Sequence, residues 1–461
     1  MTLAIRPYQA DGLEFLVSHR RAALFDEPGL GKTMQALLSM RDLVPNEPIL
    51  VVATGDAVGV WQDEAKLWLG ETAAVVSGPG ADTQLFDEGW LVITNYTRLA
   101  TALLRPWGGI IFDESQTLRN RKTRTLFATV NKAFEHDPRG LGQIPVFFLS
   151  GTPIVKAAGD LWPILHTIDK QRWPSYWKFV QRYCIVWEDQ FGWHVEGITN
   201  VKGLWDELSS VCLRRTVGDV QPELPNKVRQ RVPLKMTPRQ ARAYRQLETD
   251  MIAEVDTYPP DNLTGGLLLA PSVLALETRL RQLLACPRLL DIDDDGAAVL
   301  VLAEIAKSNP RPFVVFTPFP SAIPFLEAAL RKVTNRPMFV ARGGMGSKLT
   351  EAIAAFKNEA ETWALNQLDD QAPILFASVQ MSKSWSVAEV THEAYFLEFD
   401  WNATTQMQAE SRLHRNGQQD TVFARYLVHE GTHDFDALDV LAGKKRLADV
   451  ILDRTRRWAS R

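Results

Sequence analysis

The sequence predicts an α/β protein with two lobes, each built around a parallel sheet that is covered by helices. The chain has 461 residues, which is enough for two or three domains that each bury a core. Short, wholly apolar runs alternate with helix-like stretches in the first third of the chain, and the same alternation returns from residue 313 onward. Such runs are typical of strands buried on both faces, as they are in parallel sheets.

The individual elements follow from these runs. In the first lobe we predict strands at AALF (22–25), ILVVA (49–53), AAVV (73–76), LVIT (91–94), GIIF (109–112) and VFFLS (146–150). In the second lobe we predict strands at FVVF (313–316), MFV (338–340), ILFA (374–377), YFLE (395–398) and VFARYLV (422–428). Between the lobes, apolar residues recur every three or four positions and predict a helix with the face Ala241, Tyr244, Leu247, Met251 and Val255.

Composition excludes several classes of protein. Hydrophobic residues make up 46% of the chain and charged residues 23%, as in ordinary globular proteins. No apolar run reaches the roughly 18 residues that a membrane span needs, and no signal-peptide pattern occurs, so we expect a cytoplasmic protein. The compactness of the chain favours a bacterial or viral source over a nuclear one. The three cysteines lack C-x-x-C spacing and indicate neither a zinc site nor a disulfide framework.

The net charge of −4 gives no overall basic footprint for nucleic acid. Any polyanion would have to be held by local clusters of positive charge. Two stretches are candidates, RNRKTR (119–124) and the tail from Lys444, although a solvated surface explains such runs equally well.

The stretch LFDEPGLGKT (24–33) has the features of a phosphate-binding loop. It follows a predicted strand and precedes a helical pattern, which is the context that such a loop needs. Gly29 and Gly31 let backbone N–H groups approach phosphate oxygens. Lys32 reaches the β and γ phosphates, and Thr33 can ligate Mg²⁺.

Two adjacent acids, Asp113 and Glu114, follow the predicted strand GIIF. They lie at the carboxyl end of a buried strand, where open α/β sheets bind their ligands. One acid there can hold Mg²⁺, and its neighbour can orient the attacking water, as phosphoryl transfer requires. Such a pair is common on its own, but together with the loop at 26–33 it predicts a nucleotide-hydrolysing site.

Around these sites the sequence resembles the Swi/Snf-type ATPases of helicase superfamily two. The phosphate loop of that family reads D-E-M-G-L-G-K-T. Asp26 stands where the common pattern G-x-x-x-x-G-K-[ST] has its first glycine, and it fits the family pattern. Only Pro28 differs from that pattern. IIFDESQTLRN resembles the family's D-E-x-H box, with Gln116 at the histidine position. Other stretches are similar to its entry motif, its two DNA-side motifs and its hydrolysis-coupling segment: IRPYQADGLEFL, LVVATGDAVGVWQDEAKLW, LVITNYTRL and FFLSGTPI.

Further matches lie outside the motifs that all helicases share. The stretch from Leu213, LRRTVGDVQPELPNKVRQRVPLKMTPRQARAYRQL, is similar to the family's inter-lobe sequence, and QAESRLHRNGQ (408–418) closely follows its last motif. The ending YLVHEGTHD is similar to that of the annealing-helicase, fork-remodelling branch.

The resemblance implies two RecA-like lobes, each with a helical insertion, and an ATP cleft between them. Residues 1–218 then form lobe 1, with its insertion at about 157–215, and residues 219–235 the linker. Residues 236–290 form the insertion of lobe 2, and residues 291–455 lobe 2 itself.

The resemblance also assigns roles to residues. Gln9 is the expected adenine contact, and Arg412 and Arg415 are the expected arginine fingers of lobe 2. The other nucleotide-binding residues are those of the loop, Pro28, Gly29, Leu30, Gly31, Lys32 and Thr33, with Mg²⁺ held by Thr33 and Asp113. The expected partner is double-stranded or branched DNA, bound by a monomer through backbone phosphates, with strand contacts at Thr54, Asn95, Tyr96 and Thr317.

The match is not complete, and two other functions stay open. The family's glycine-rich fifth motif reads SVQMSKSWSVAEV here, with Ser382 to Trp385 where glycines are expected, and Trp385 is either a DNA-side residue or a core residue. The predicted activity is an ATP-dependent translocase on duplex DNA. The alternatives are a strand-separating helicase, such as the motor subunit of a restriction-type complex, and an ATP-gated DNA clamp that does not move.

Overall fold

By its internal contacts the chain divides into two compact units in the computed structural model. The first consists mainly of Met1–Pro222, and the second of Glu223–Met381 with Trp385–Ala442. The structure describes residues 4–55, 57–76, 89–119, 127–130, 144–189, 192–221, 224–256, 271–345, 347–366, 372–379, 385–398, 403–415 and 417–432.

The first unit is organised around a parallel sheet. The strands of this unit are β1 (Arg21–Leu24), β2 (Ile49–Ala53), β3 (Ala74–Val76), β4 (Leu91–Asn95), β5 (Gly109–Phe112), β6 (Val146–Leu149), β7 (Ile185–Asp189), β8 (Gly192–Glu196) and β9 (Cys212–Leu213). Strands β7 and β8 form a separate antiparallel hairpin. Among the described residues, seven strands pair in the order β3-β4-β2-β5-β6-β1-β9, and all these pairings are parallel.

Helices cover both faces of this sheet. They are α1 (Pro7–His19), α2 (Lys32–Leu43), α3 (Val58–Leu69), α4 (Leu99–Ala102), α5 (Trp162–Ile168), α6 (Tyr176–Tyr183), α7 (Val201–Leu208) and α8 (Val217–Val220). Short 3₁₀ turns lie at Tyr96–Arg98, Ser115–Arg119 and Ala158–Leu161. Proline begins α1, where the free N–H that it lacks would have had no helical partner, and the left-handed Gly70 ends α3.

The apolar runs form strands because both of their faces are buried. Along β2, Leu50 and Val52 pack into one hydrophobic cluster, whereas Ile49 and Val51 pack into another on the opposite face. Each such buried side chain contributes about 1.5–3 kcal/mol of transfer free energy. The run therefore shows no alternation of apolar and polar residues, unlike a strand with one face in solvent.

The second unit repeats this design. Its strands are β10 (Lys227–Leu234), β11 (Phe313–Thr317), β12 (Met338–Ala341), β13 (Ile374–Ser378), β14 (Glu393–Phe396) and β15 (Val422–His429). In the described part, six strands pair in parallel in the order β10-β15-β14-β11-β13-β12. Its helices are α9 (Pro238–Asp256), α10 (Pro271–Ala285), α11 (Ala297–Ser308), α12 (Ile323–Leu330), α13 (Ser347–Asn366) and α14 (Ala403–Glu410), with 3₁₀ turns at Pro287–Leu290 and Pro320–Ala322.

The predicted fold class, two parallel-sheet lobes with helices, is confirmed. Two segments differ in detail from the sequence prediction. The assigned linker, 219–235, contains β10, which pairs with β15 along its whole length. The assigned insertion of lobe 1, 157–215, contains the hairpin of β7 and β8 as well as helices.

The physical reason for β10 is that residues 219–235 contain no continuous apolar run, whereas the hairpin begins in the short apolar run CIVW (184–187). Strand β10 reads KVRQRVPL and lies at the edge of its sheet, so several of its side chains are exposed. Proline is tolerated at such an edge because an edge strand pairs on one side only. The hairpin strands β7 and β8 contain no buried residue.

Several features of the sequence lie outside the described residues. These are residues 120–124 of the basic stretch, the tail from Lys444, and Ser382 to Ser384 of the fifth motif. In the described part of the chain, no helix is both long enough and apolar enough to cross a membrane.

Candidate active site

The topology of the first sheet brings the predicted site residues of this unit to one edge. Strands β1, β6, β5, β2 and β4 are successive neighbours and run in the same direction. The phosphate loop follows β1, Ser150 follows β6, Asp113 follows β5 and Thr54 follows β2. Because the carboxyl ends of parallel strands meet at one edge, segments that are far apart in sequence become neighbours there.

The phosphate loop depends on two glycines in the left-handed region. Gly29 has φ 91°, and Gly31, which caps the start of α2, has φ 76° and ψ 35°. Side chains rarely adopt this conformation, so glycine is favoured at both positions. The loop thus delivers Lys32 and Thr33 to the first turn of a helix, where free N–H groups and the helix dipole favour an anion.

Lys32 is held within the loop. Its Nζ donates to the carbonyl oxygens of Asp26 at 2.7 Å and Glu27 at 3.2 Å. Burial lowers the pKa of Lys32, and the negative charge of Asp26 opposes that shift. The charges of Glu114 and Asp113 also raise this pKa, as the charge of Asp26 does. The acidic pair and the loop lysine therefore lie close enough to interact electrostatically.

Gln9, the predicted adenine contact, packs directly on the loop. A Cβ added at Gly31 would lie only 2.6 Å from Gln9 Nε2. The same nitrogen lies 3.4 Å from the carbonyl oxygen of Leu30, and Gln9 Oε1 accepts from the backbone of Arg6 at 3.0 Å. Gln9 is therefore adjacent to the nucleotide-binding loop, and its contact with a base stays a prediction.

Asp26 anchors the start of the loop. Its side chain is fully buried, and its carboxylate pairs with the guanidinium of Arg215, with Nε at 3.0 Å from Oδ1. The backbone N–H of Arg215 donates to the same oxygen at 2.9 Å. Glycine could not make this link, which gives a physical reason for an aspartate at this position.

The acidic pair is held from several sides. Trp61 Nε1 donates to Asp113 Oδ2 at 2.8 Å, and the hydroxyl of Tyr96 donates to the Asp113 carbonyl oxygen at 2.6 Å. Burial, together with the charge of Glu114, raises the pKa of Asp113 to about 6. Glu114 itself has φ 47°, a conformation that a non-glycine residue holds only where its surroundings enforce it.

Gln116 connects the acidic pair to the segment after β6. Its Nε2 donates to Glu114 Oε2 at 2.7 Å, and its Oε1 accepts from Ser150 Oγ at 2.7 Å. Ser150 Oγ in turn accepts from the backbone N–H of Thr152 at 3.0 Å. An amide can donate and accept at once, as a histidine ring can, so the departure from D-E-x-H leaves a connected network.

Pro28, the loop residue that differs from the family pattern, also contacts the segment after β6. A Cβ added at Gly151 would lie 2.9 Å from Pro28 Cγ and 3.0 Å from Pro28 Cδ. The small residue at position 151 therefore lets this segment pack against the phosphate loop.

The predicted DNA contacts of the first unit have distinct environments. Asn95 Oδ1 accepts from the backbone N–H of Arg98 at 3.2 Å and caps the turn Tyr96–Arg98. Tyr96 supports Asp113, and burial raises the pKa of its hydroxyl well above the ordinary value. Within the described residues, the buried hydroxyl of Thr54 has no hydrogen-bond partner. DNA contact at these three positions stays a prediction.

In the second unit, Trp385 packs beside the predicted arginine fingers. The guanidinium of Arg412 lies 5.6 Å from the centre of the Trp385 ring, and Arg415 Nη1 lies 3.5 Å from the Trp385 carbonyl oxygen. Trp385 is buried, and its ring stacks on Phe316 at 6.2 Å. Of the two interpretations of Trp385, the structure favours the core residue.

Thr317, the predicted DNA contact of the second unit, ends β11 and is fully buried. Its Oγ1 accepts from the backbone N–H of Phe319 at 3.1 Å. The hydroxyl therefore shapes the turn that follows the strand, and DNA contact at this position stays a prediction.

The residues of this edge fit Mg²⁺ and ATP. The hydroxyl of Thr33 and the carboxylate of Asp113 offer hard oxygen ligands, which Mg²⁺ prefers. Among the described residues, no group of three or more His, Cys, Asp or Glu side chains could hold a metal on its own. Mg²⁺ at nucleotide sites is commonly bound by one or two protein ligands together with phosphate oxygens and water.

Sequence reasoning missed the residues that support the site. Trp61 lies in the first DNA-side motif and Arg215 in the inter-lobe stretch, and the sequence assigned a role to neither residue. Arg215 contacts Asp26 across 189 positions of the chain. Such a pair leaves no local pattern, although a buried acid in the loop requires a cation from elsewhere.

Comparison with known proteins agrees with this geometry. The sequence model of the SNF2-related domain family matches residues 8–289, which is more than half of the chain. The match includes the phosphate loop, the acidic pair and the stretch from Leu213.

Individual relatives share about a quarter of their aligned residues with this chain. The chain is 25% identical over 454 residues to a SWI/SNF-related matrix-associated actin-dependent regulator of chromatin subfamily A-like protein 1 of Drosophila melanogaster, covering 97% of this chain and 56% of that protein. It is 24% identical over 447 residues to the DNA annealing helicase and endonuclease ZRANB3 of Mus musculus, covering 93% of this chain and 39% of that protein. The chain thus spans only about half the length, or less, of these relatives.

Among solved structures, the Sulfolobus solfataricus SWI2/SNF2 ATPase core in complex with dsDNA aligns over 98% of this chain and 93% of that chain. The TM-score is 0.43 and the sequence identity 21%.

Proposed function

The chain belongs to the SNF2-related domain family of ATPases, and we propose that it uses ATP hydrolysis to move along double-stranded DNA, acting on forks, branched DNA or DNA-bound protein. The observation that carries the proposal is the convergence of the phosphate loop and the acidic pair at one edge of the first sheet, together with the family match.

The proposed hydrolysis would use residues of the phosphate loop and of the acidic pair. Bound Mg²⁺ would supply positive charge at the β and γ phosphates, with Thr33 and Asp113 as its protein ligands. Lys32 and the N-terminus of α2 would bind the phosphates. Glu114, fixed by Gln116, would orient the attacking water and accept its proton.

The second unit would supply charge stabilisation. Arg412 and Arg415 are the only basic side chains in the motif QAESRLHRNGQ apart from its histidine. Arginine fingers act on the charge that develops during transfer, so these two residues would serve turnover more than ground-state binding. Alternate binding and release of the γ phosphate would then change how the two units associate and so drive movement.

DNA is proposed as the partner because the family match is supported by a relative whose name specifies a DNA annealing helicase. With a net charge of −4, the chain would bind the backbone of the duplex through local groups, without reading its sequence. We further propose that it acts as a monomer in the cytoplasm.

The decisive experiment measures the ATPase rate with no nucleic acid and with single-stranded DNA, duplex, fork, four-way junction and RNA. We expect the largest stimulation with duplex or branched DNA. Displacement of a triplex-forming strand, without unwinding of a plain tailed duplex, would then demonstrate translocation. Efficient unwinding of that duplex supports a strand-separating helicase, and duplex binding without stimulated hydrolysis supports a clamp. Equal or greater stimulation by RNA contradicts the proposal.

A further inference from the structure

We propose that the stretch of chain that joins the two units, residues 213–234, positions both halves of the ATPase site. Arg215 would hold the phosphate loop, and Arg229 would hold the arginine segment, defined as residues 408–415. The inference rests on the proposed function, because it assigns positioning residues to the same hydrolytic site.

At the N-terminal end of the joining stretch, Arg215 is buried, and all three guanidinium nitrogens donate hydrogen bonds. Nε donates to Asp26, Nη2 donates to Asp26 and to Gln35 Oε1 at 2.8 Å, and Nη1 donates to the carbonyl oxygen of Tyr8. Such a forked pair fixes direction as well as distance. Arg215 therefore joins α1, the phosphate loop and α2.

The backbone near Arg215 adds to this attachment. The N–H of Glu27 donates to the carbonyl oxygen of Arg215 at 2.9 Å, and Glu27 Oε2 accepts from the N–H of Val217 at 2.9 Å. Gln35 continues the network, since its Nε2 donates to the Leu30 carbonyl oxygen at 3.1 Å. The joining stretch thus contacts both the start and the end of the loop, directly or through one side chain.

Gly12 shows that α1 is shaped to admit this network. A Cβ added at Gly12 would lie 1.9 Å from Gln35 Oε1 and 2.7 Å from Arg215 Nη2. A glycine within a helix is less favourable than alanine, so its presence needs a packing reason. Space for the Arg215 and Gln35 side chains is that reason.

At the second end, the same stretch binds the arginine segment through Glu410. Glu410 is buried and accepts from Arg229 Nε at 2.5 Å and Nη2 at 2.6 Å, and from Lys227 Nζ at 2.8 Å. Tyr426 completes the set, with its hydroxyl 2.5 Å from Glu410 Oε1. A further contact joins His414 Nε2 to the carbonyl oxygen of Pro225 at 2.8 Å.

These contacts flank the proposed arginine fingers in sequence. Glu410 stands two positions before Arg412, and His414 lies immediately before Arg415. Glu410 is buried whereas Arg229 is 40% exposed, and an ion pair to a buried carboxylate adds little net stability, because desolvation of the carboxylate offsets much of the attraction. A pair that fixes a carboxylate in one orientation is better explained by the need to place the neighbouring arginines.

The two ends should fail in different ways. Loosening the Arg215 end disturbs the loop that binds ground-state phosphates, so nucleotide affinity should fall. Loosening the Arg229 end disturbs groups that act on the transition state, so turnover should fall at nearly unchanged affinity.

The test compares Arg215→Gln and Arg229→Gln with Arg215→Lys and Arg229→Lys in the full chain, using a fluorescent ATP analogue and DNA-stimulated hydrolysis. We expect Arg215→Gln to weaken analogue binding by about tenfold or more, and Arg229→Gln to lower kcat about tenfold with affinity within about twofold. The lysine variants should restore part of each loss, because they keep the charge and lose the fork.

Matched controls separate positioning from general stability. Arg336 is a buried arginine of the second unit whose guanidinium donates only to carbonyl oxygens in its described contacts, among them Ala306 at 3.1 Å and Asn309 at 2.5 Å. Arg425 forms an ion pair with Glu393 at 2.7 Å in the same sheet as β10. Arg336→Lys and Arg425→Gln should lower the melting temperature without this division between affinity and turnover.

Hydrogen exchange of the nucleotide-free chain gives a readout that is independent of the proposed function. Arg215→Gln should speed exchange in peptides covering residues 26–33, and Arg229→Gln in peptides covering 408–415, beyond what the controls show. If both variants only lowered the melting temperature, with exchange, affinity and kcat changed no more than in the controls, the inference would be overturned. If the wild-type chain did not hydrolyse ATP, the proposed function would be contradicted. The hydrogen-exchange result would then still test whether Arg215 and Arg229 position their segments.

Discussion

Gln116 Nε2 lies 2.7 Å from Glu114 Oε2, and the other end of the same amide accepts from Ser150. The side chain that stands at the histidine position of the D-E-x-H box therefore joins Glu114, the proposed water-orienting acid, to the segment after β6. A change in that segment can reach Glu114 through only two hydrogen bonds.

We expect Gln116→Ala to lower DNA-stimulated turnover by roughly 10- to 100-fold, because a misplaced catalytic group costs rate more than binding. Affinity for ATP should stay within about threefold, since no phosphate contact is removed. Gln116→His should keep most of the activity, because imidazole can also donate and accept. Steady-state kinetics with and without duplex DNA measures both quantities. Gln171→Ala, at an exposed glutamine, is the control. Loss of ATP binding in Gln116→Ala would show that Gln116 supports the phosphate loop and not Glu114.

We expect Gly151→Ala to push on the phosphate loop, because its Cβ would lie 2.9 Å from Pro28 Cγ. Overpacking of this kind costs about 1–3 kcal/mol, and here it should appear mainly as weaker ATP binding. Removing the obstacle in Pro28→Ala/Gly151→Ala should restore affinity relative to the single variant. Titration with an ATP analogue checks both.

The control for this prediction is Gly218→Ala, since an added Cβ at that position meets nothing within 4 Å. If the double variant bound ATP no better than Gly151→Ala, contact with Pro28 would not be the cause of the loss.

The sequence alone allowed the fold and the local parts of the site to be predicted, for a physical reason. Strand β2 is buried on both faces, so its apolar run is visible without any partner, and the loop at 26–33 carries its glycines, lysine and threonine within one turn. Strand β10 escaped prediction because an edge strand keeps exposed side chains. The pairs Asp26 with Arg215 and Arg229 with Glu410 join residues more than 180 positions apart, and nothing local in the sequence indicates which charges meet.

Glu410 should make stability depend on pH in the acid range. Burial alone raises the pKa of Glu410, but the charge of Lys227 and the hydrogen bonds of Arg229 outweigh it and hold the pKa well below its ordinary value of 4.5. A carboxyl whose folded pKa is depressed contributes stability above the unfolded value and loses it as pH falls through the folded one. The contribution is therefore complete at neutral pH and declines below about pH 4.5.

Accordingly, Glu410→Gln should destabilise the chain at pH 7 by about 1.5–3 kcal/mol, because Lys227 and Arg229 lose charge-assisted hydrogen bonds while their own charges keep access to solvent. The difference from wild type should shrink as pH falls below the ordinary pKa of the carboxyl. Denaturant unfolding at several pH values measures it. A difference that stayed constant down to pH 3 would mean that the charge of Glu410 contributes nothing.

Affinity for DNA should fall steeply with salt and vary little with sequence. A protein that binds through backbone phosphates releases counterions, so log K falls linearly with log of the salt concentration, with a slope of about −0.9 per phosphate contact. Fluorescence anisotropy with duplexes of unrelated sequence, between low and physiological salt, gives the slope. A flat salt dependence or a preferred sequence is incompatible with this mode of binding.

Nucleotide binding and transition-state stabilisation should be separable by mutation, because Lys32 follows β1 in the first unit whereas Arg415 follows α14 in the second. Because an arginine finger meets charge that develops only during transfer, its loss costs about 10³ to 10⁵ in rate. Arg415→Ala should therefore keep ATP affinity within roughly tenfold and lose nearly all DNA-stimulated turnover, whereas Lys32→Ala should lose binding and turnover together. Equilibrium binding of an ATP analogue and single-turnover hydrolysis, measured side by side, separate the two effects, with Arg425→Gln as an arginine control from the same unit. If Arg415→Ala kept its DNA-stimulated rate, transition-state stabilisation would have to come from the first unit alone.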